Sequence, residues 1–113
     1  MSLHNDMKGL IMKEIIDGKR YDTETSEEIY KWSSPHFPND WHYESETLYR
    51  TEKGTWFLFG EGNGLSRYRE QYIDGYGPGS SIHPISEDEA FNFLSKHDSE
   101  LAEEYFEDRI EDA

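Results

Sequence analysis

The 113-residue sequence contains no cysteine. Disulfides and thiolate metal sites are excluded, and a reducing, cytoplasmic setting is expected. The start, MSLHNDMKGL, lacks the long apolar core of a signal sequence. No stretch approaches the roughly 20 apolar residues of a membrane-spanning helix. Positive charge is scarce: 11 Lys and Arg stand against 25 Asp and Glu, for a net charge of −14. Binding nucleic acid through its phosphates calls for the opposite sign, so direct DNA or RNA binding is disfavoured. Anionic membranes are disfavoured for the same reason.

Aromatic residues are plentiful, at 15% of the chain. Each buries about 150–250 Å² when enclosed, so the core is expected to be aromatic-rich. The length suits one domain. Residues 1–11 read as a flexible leader and 12–113 as a single α+β domain. Two readings of the acidity stand side by side. It keeps the protein soluble, or it meets a basic partner, and basic surfaces usually belong to nucleic-acid-binding proteins. A salt-adapted surface fits less well, since six Lys remain and Glu outnumbers Asp sixteen to nine.

Asp17-Gly18 lies between two short runs and predicts a hairpin of Lys13–Ile16 with Lys19–Asp22. Residues 23–33 fit a helix starting at Thr23 or Thr25 or a strand, and their β-forming Thr25, Ile29 and Trp32 favour the strand. The two prolines of residues 33–41 predict a loop. ETLYRT and TWFLFG flank Glu52-Lys53-Gly54 and predict a second hairpin. The unbroken apolar run from Trp56 to Phe59 marks a central strand buried on both faces. The glycine-dense segments 60–64 and 74–81 read as loops, with a short strand or helical turn between them. Pro84 assigns Ser81–Ile85 to a sheet edge. Ser86 with Glu89 forms a capping box for a helix, and Asp98 or Ser99 caps a second one. Leu101, Ala102, Tyr105, Phe106 and Ile110 form the apolar stripe of that second helix.

No residue pattern points to catalysis or a cofactor. The histidines His4, His36, His42, His83 and His97 show no metal-ligand spacing, although His36 and His42 flank one loop. GEGNG lacks the Lys-Ser/Thr of a phosphate loop, and Glu61 would repel a phosphate, so the segment reads as a turn after a buried strand. An acid–base pair of Glu61 with His42 or His36 is the weakest alternative. Charge concentrates instead at the end of the chain. Residues 86–113 hold eleven acids against Lys96 and Arg109. Glu100, Glu103, Glu104, Glu107, Asp108 and Glu111 recur at helical spacing and form a predicted negative row. Such a row could imitate duplex phosphates in a basic cleft, or be a plain solvated face. Trp32, Phe37, Trp41, Tyr43, Tyr72 and Tyr76 lie in or beside loops. One or two of them are expected to be exposed, as binding anchors.

Three segments, IIDGKRYDTETSEEI, LYRTEKGTWFLFGEGNGLSRY and IHPISEDEAFNFL, resemble a family of small acidic uncharacterised proteins. The family is carried by bacterial and archaeal genomes, plasmids and phages. Its pattern combines an IIDGKRYDTET start, an LYRTxKGxWFLxGEG centre and an IxPxSEDEA helix start, and covers most of residues 14–95. Asn63 stands where the family often has a second glycine, and His83 interrupts the strand before Pro84. The resemblance carries no catalytic residues. Its mobile-element setting implies roles such as blocking host defence, by anti-CRISPR or anti-restriction activity.

The expected fold is α+β: an antiparallel sheet of about four to five strands with two C-terminal helices packed on one face. The expected function is a non-enzymatic, acidic protein-binding module, acting as a nucleic-acid mimic that inhibits a basic nucleic-acid-binding protein. Its contact residues would be the six acids of the row. The alternative is a self-associating structural or regulatory module, such as a homodimer, driven by its aromatic surface.

Overall fold

The computed structural model describes residues 12–113; the leader read over 1–11 lies outside the described residues. β1 (Lys13–Ile16) and β2 (Lys19–Asp22) pair antiparallel as expected. Their turn sets Asp17 and Gly18 at positive φ, 53° and 79°. Both residue types accept that geometry, and it matches the twist of a hairpin.

The main sheet is antiparallel and has four strands in the order β3-β4-β5-β8. These are β3 (Glu27–Ser33), β4 (Glu44–Arg50), β5 (Trp56–Gly62) and β8 (Gly79–Ile85). Residues 27–33 are thus a strand, as their β-branched and aromatic residues favour. A register shift between Glu28 and Tyr30 leaves Ile29 as a bulge, so Ile29 and Tyr30 both reach the core. β8 has β5 as its one neighbour, which lets Pro84 sit in the strand without breaking a central ladder. Nor does His83 interrupt β8, where it pairs with Leu58.

β5 is central and buried on both faces. Trp56 and Leu58 face one way, toward Leu48, the helices and the partly buried Ile85. Phe57 and Phe59 face the other way, with Ile82 and Tyr21. Phe57 is completely enclosed, with Tyr49 stacked on it at 5.2 Å and Tyr21 edge-on at 5.5 Å. The core is therefore aromatic-rich, and the β1–β2 hairpin covers part of the second face through Tyr21 and Ile16.

α1 (Glu87–His97) and α2 (Ser99–Phe106) pack on the first face through Ala90, Leu94, Ala102 and Phe106. The capping box at Ser86 and Glu89 forms as expected, closing the orphan amides of the first turn. Asp98 ends α1 and caps α2, accepting the Leu101 amide at 3.2 Å. The fold is thus α+β, with the helices on one face of the sheet.

Two expectations about the glycine-rich segments need correction. Gly60 and Gly62 are not loop residues but lie within β5. A Cβ on Gly60 would sit 2.0 Å from the Tyr68 ring, and one on Gly62 would sit 2.2 Å from Ser66 Oγ. These glycines make room for side chains crossing the sheet. The segment 74–81 likewise holds structure: β6 (Glu70–Tyr72) and β7 (Gly75–Gly77) form a third, two-stranded sheet.

Candidate functional site

The acidic residues of the chain end lie at the surface, except the half-buried cap Asp98. α2 is amphipathic: Ala102 and Phe106 are buried, while Glu100, Glu103 and Glu104 are exposed on the other side. The expected row does not continue beyond them in register. The backbone leaves helical geometry at Phe106 (φ −136°, ψ 35°). Glu107 and Asp108 fall in a 3-10 turn, Glu107–Arg109, and Glu111 lies in the irregular tail. The reason is packing. The Phe106 ring is held between Trp56 and Phe91, at 5.4 Å from each. Arg109 turns back over Phe91 at 4.9 Å and pairs with Asp88. Ile110, expected on the apolar stripe, is 39% exposed. Glu107, Asp108 and Glu111 are exposed as well, and among the described residues none of the six acids is in an ion pair. Glu87 and Glu89 of α1 add two more exposed carboxylates.

A second acidic group was not legible in the sequence. Glu44 and Glu46 occupy inward positions of β4, opposite Gly62 and Gly60. The loop 63–69 folds across those glycines and supplies their partners. Arg67 donates to Glu44 through its backbone amide (3.0 Å) and Nε (2.7 Å), and its guanidinium also meets Glu46 at 3.5 Å. The Tyr68 hydroxyl donates to Glu46. Burial pushes the Glu44 carboxyl up, but the side-chain and backbone hydrogen bonds from Arg67 outweigh it and leave it below the ordinary glutamate value. Burial first, then the bond to Glu46, raises the Tyr68 phenol well above its usual range. These carboxylates are satisfied from within the fold, unlike those of α2.

The residues of the acid–base alternative are not assembled. Glu61 lines an open cleft of about 410 Å³ with Tyr43, Asn63, Glu70 and Tyr72, and neither His36 nor His42 lines it. The two histidine rings do approach each other, at 5.6 Å between centroids. His42 instead bonds Asp40 through its amide (2.7 Å) and Nδ1 (3.2 Å). Those bonds hold the Asp40 carboxyl below its usual value. No group of three or more His, Cys, Asp or Glu suited to a metal occurs among the described residues.

The aromatics read as lying in or beside loops are more exposed than expected. Phe37, Trp41, Tyr72 and Tyr76 are all exposed, and so are Leu65 and Ile73. Trp41 and Leu65 are neighbours through a 2.8 Å backbone bond, and Gly64 lies between the Trp41 ring and the backbone carbonyl of Tyr76. Asn63, the departure from the glycine pattern, ties this end together by donating to the Pro38 (3.0 Å) and Asp40 (2.7 Å) carbonyls.

No protein-family model matches the chain, and no curated protein or solved structure shows significant similarity to it. No helix among the described residues is long and apolar enough to cross a membrane.

Proposed function

We propose that the chain is a non-enzymatic binding module that presents the carboxylates of its C-terminal helical unit to a basic protein surface. The observation that carries this reading is the exposure of Glu100, Glu103, Glu104, Glu107, Asp108 and Glu111 with no ion-pair partner among the described residues. Unpaired surface carboxylates keep their field available for an incoming cation-rich partner, which speeds encounter and makes it sensitive to salt. The partner class that suits such a surface is a nucleic-acid-binding protein, with the acids standing in for phosphates. The resemblance of the chain's IIDGKRYDTET, LYRTxKGxWFLxGEG and IxPxSEDEA motifs to a family carried by mobile elements favours an inhibitor of host defence, of anti-CRISPR or anti-restriction type. A cytoplasmic setting belongs to the same reading and is supported by the absence of cysteine.

The test is affinity capture from a native host at rising salt, with the chain and with a Glu100→Gln, Glu103→Gln, Glu104→Gln variant. A basic partner released by salt is expected, and the variant should bind about tenfold more slowly or worse. Retention in molar salt, or undiminished capture by the variant, would overturn the reading.

A second reading rests on a separate observation, the exposure of Phe37, Trp41, Leu65, Tyr72 and Tyr76. Exposed aromatic anchors of this kind suit self-association. Light scattering across concentration separates the two, because a strict monomer leaves only the first.

A further inference from the structure

Cations are few in this chain, and three of the eleven line one cleft. The Asp17-Gly18 turn, residues 25–26 and the turn between β4 and β5 surround a cleft of about 490 Å³. Lys19, Arg20 and Lys53 line it, together with hydroxyl groups from Thr25, Ser26 and Thr51. Glu52 is the one carboxylate on its wall, so the lining is net positive on a molecule of net charge −14. A second cleft adjoins it and shares Thr25, Ser26, Thr51, Glu52 and Lys53; Glu24 and Glu27 also line that one, so the positive lining belongs to the first cleft alone.

The hairpin register decides which cations matter most. Side chains alternate along a strand, so Lys19 lies on the same side of β2 as Tyr21, which is buried against Phe57. Arg20 lies on the opposite side, paired with the 71%-exposed Ile15. Lys53 is carried by the β4–β5 turn, next to Gly54 at φ 89°. Among the described residues neither Lys19 nor Lys53 has a carboxylate within ion-pairing distance. Arg67 and Arg109 behave differently, each being held by a carboxylate. Thr51 Oγ1 accepts the Thr55 amide at 3.0 Å, which leaves its own proton free to donate.

We infer that this cleft binds the phosphate group of a small phosphorylated ligand. Cationic side chains together with hydroxyl groups from Thr25, Ser26 and Thr51 suit a phosphate, whose several oxygens and double negative charge take many donors at once. The volume falls in the range of small-molecule pockets, about 300–1,000 Å³, and exceeds what a lone phosphate fills. The site is separate from the acidic helical unit, so its failure and the failure of the protein-binding reading are independent.

Amide shifts of the full chain, followed by NMR, test the inference with inorganic phosphate in one arm and adenosine monophosphate in another. Saturable shifts are expected at Gly18, Thr25, Ser26 and Gly54. Tighter binding of the nucleotide assigns the site to a phosphomonoester, and equal binding assigns it to the free ion. Lys19→Ala and Lys53→Ala should each weaken binding about tenfold, the loss of one charged hydrogen bond. Arg20→Ala should change it less than either. These positions are exposed, and unaltered melting curves would show that the variants fold. The absence of saturable shifts at millimolar phosphate would overturn the inference. So would equal shifts in sodium chloride of matched ionic strength, or unchanged affinity in both lysine variants.

Discussion

One face of the main sheet is covered in two different ways. Toward Leu48 and Trp56 it is sealed by α1 and α2 with apolar side chains. Toward Glu44 and Glu46, four and two residues before Leu48 in the same strand, it is sealed by the loop 63–69 with an arginine and a tyrosine. The first cover excludes water without directional bonds, so its strength follows the apolar area and the packing. The second must satisfy every charge it encloses, because an unpartnered buried carboxylate is strongly destabilising. One strand thus carries both solutions, and which one applies depends on what lies above it.

The largest break in this comparison is Leu48→Ala. Leu48 is fully enclosed on a central strand. Its truncation should destabilise by about 2–5 kcal/mol, read as a lower urea midpoint, with little dependence on pH. Next comes Gly60→Ala, which places a methyl group where the Tyr68 ring lies. A loss of about 1–3 kcal/mol is expected from overpacking. In a Tyr68→Ala background most of that loss should vanish, because the clash has gone; if it persists, the glycine is needed for another reason.

The smallest effect sharpens the contrast instead of breaking it. Glu44→Gln removes the charge held by Arg67, whose side chain is 62% exposed and can turn to water. The loss near neutral pH should be about 1 kcal/mol. The folded-state pKa of Glu44 is lowered. Its contribution is therefore present above the unfolded glutamate value and is lost as pH falls through the folded one. Stability measured against pH should show this acid-side loss in the parent chain and less of it in the glutamine variant. Parallel profiles would mean that Glu44 contributes nothing through its charge.

Much of the fold follows from local pattern. Asp17-Gly18, the Trp56–Phe59 run, Pro84 and the Ser86/Glu89 capping box each point to the element found there. In each, the cause is short-range: turn dihedrals, strand burial, a missing amide, a capped helix end. Where the reading went astray, long-range contacts were responsible. Gly60 and Gly62 looked like turn formers because a glycine's local freedom is visible in sequence, whereas a ring arriving from Tyr68 is not. The acid row looked continuous through Glu111 because helical spacing is local, but Phe106 turns into the core and ends the helix.

By itself, then, the order of residues determined the net charge of −14, the exclusion of disulfides and the strands and helices whose signals are local. Only the folded chain decided which carboxylates are enclosed and which remain open. Glu44 and Glu46 find Arg67 and Tyr68 more than twenty positions away, while Glu100, Glu103 and Glu104 face solvent. The physical reason is that a charge's environment is set by what packs against it, and packing joins residues that sequence keeps apart.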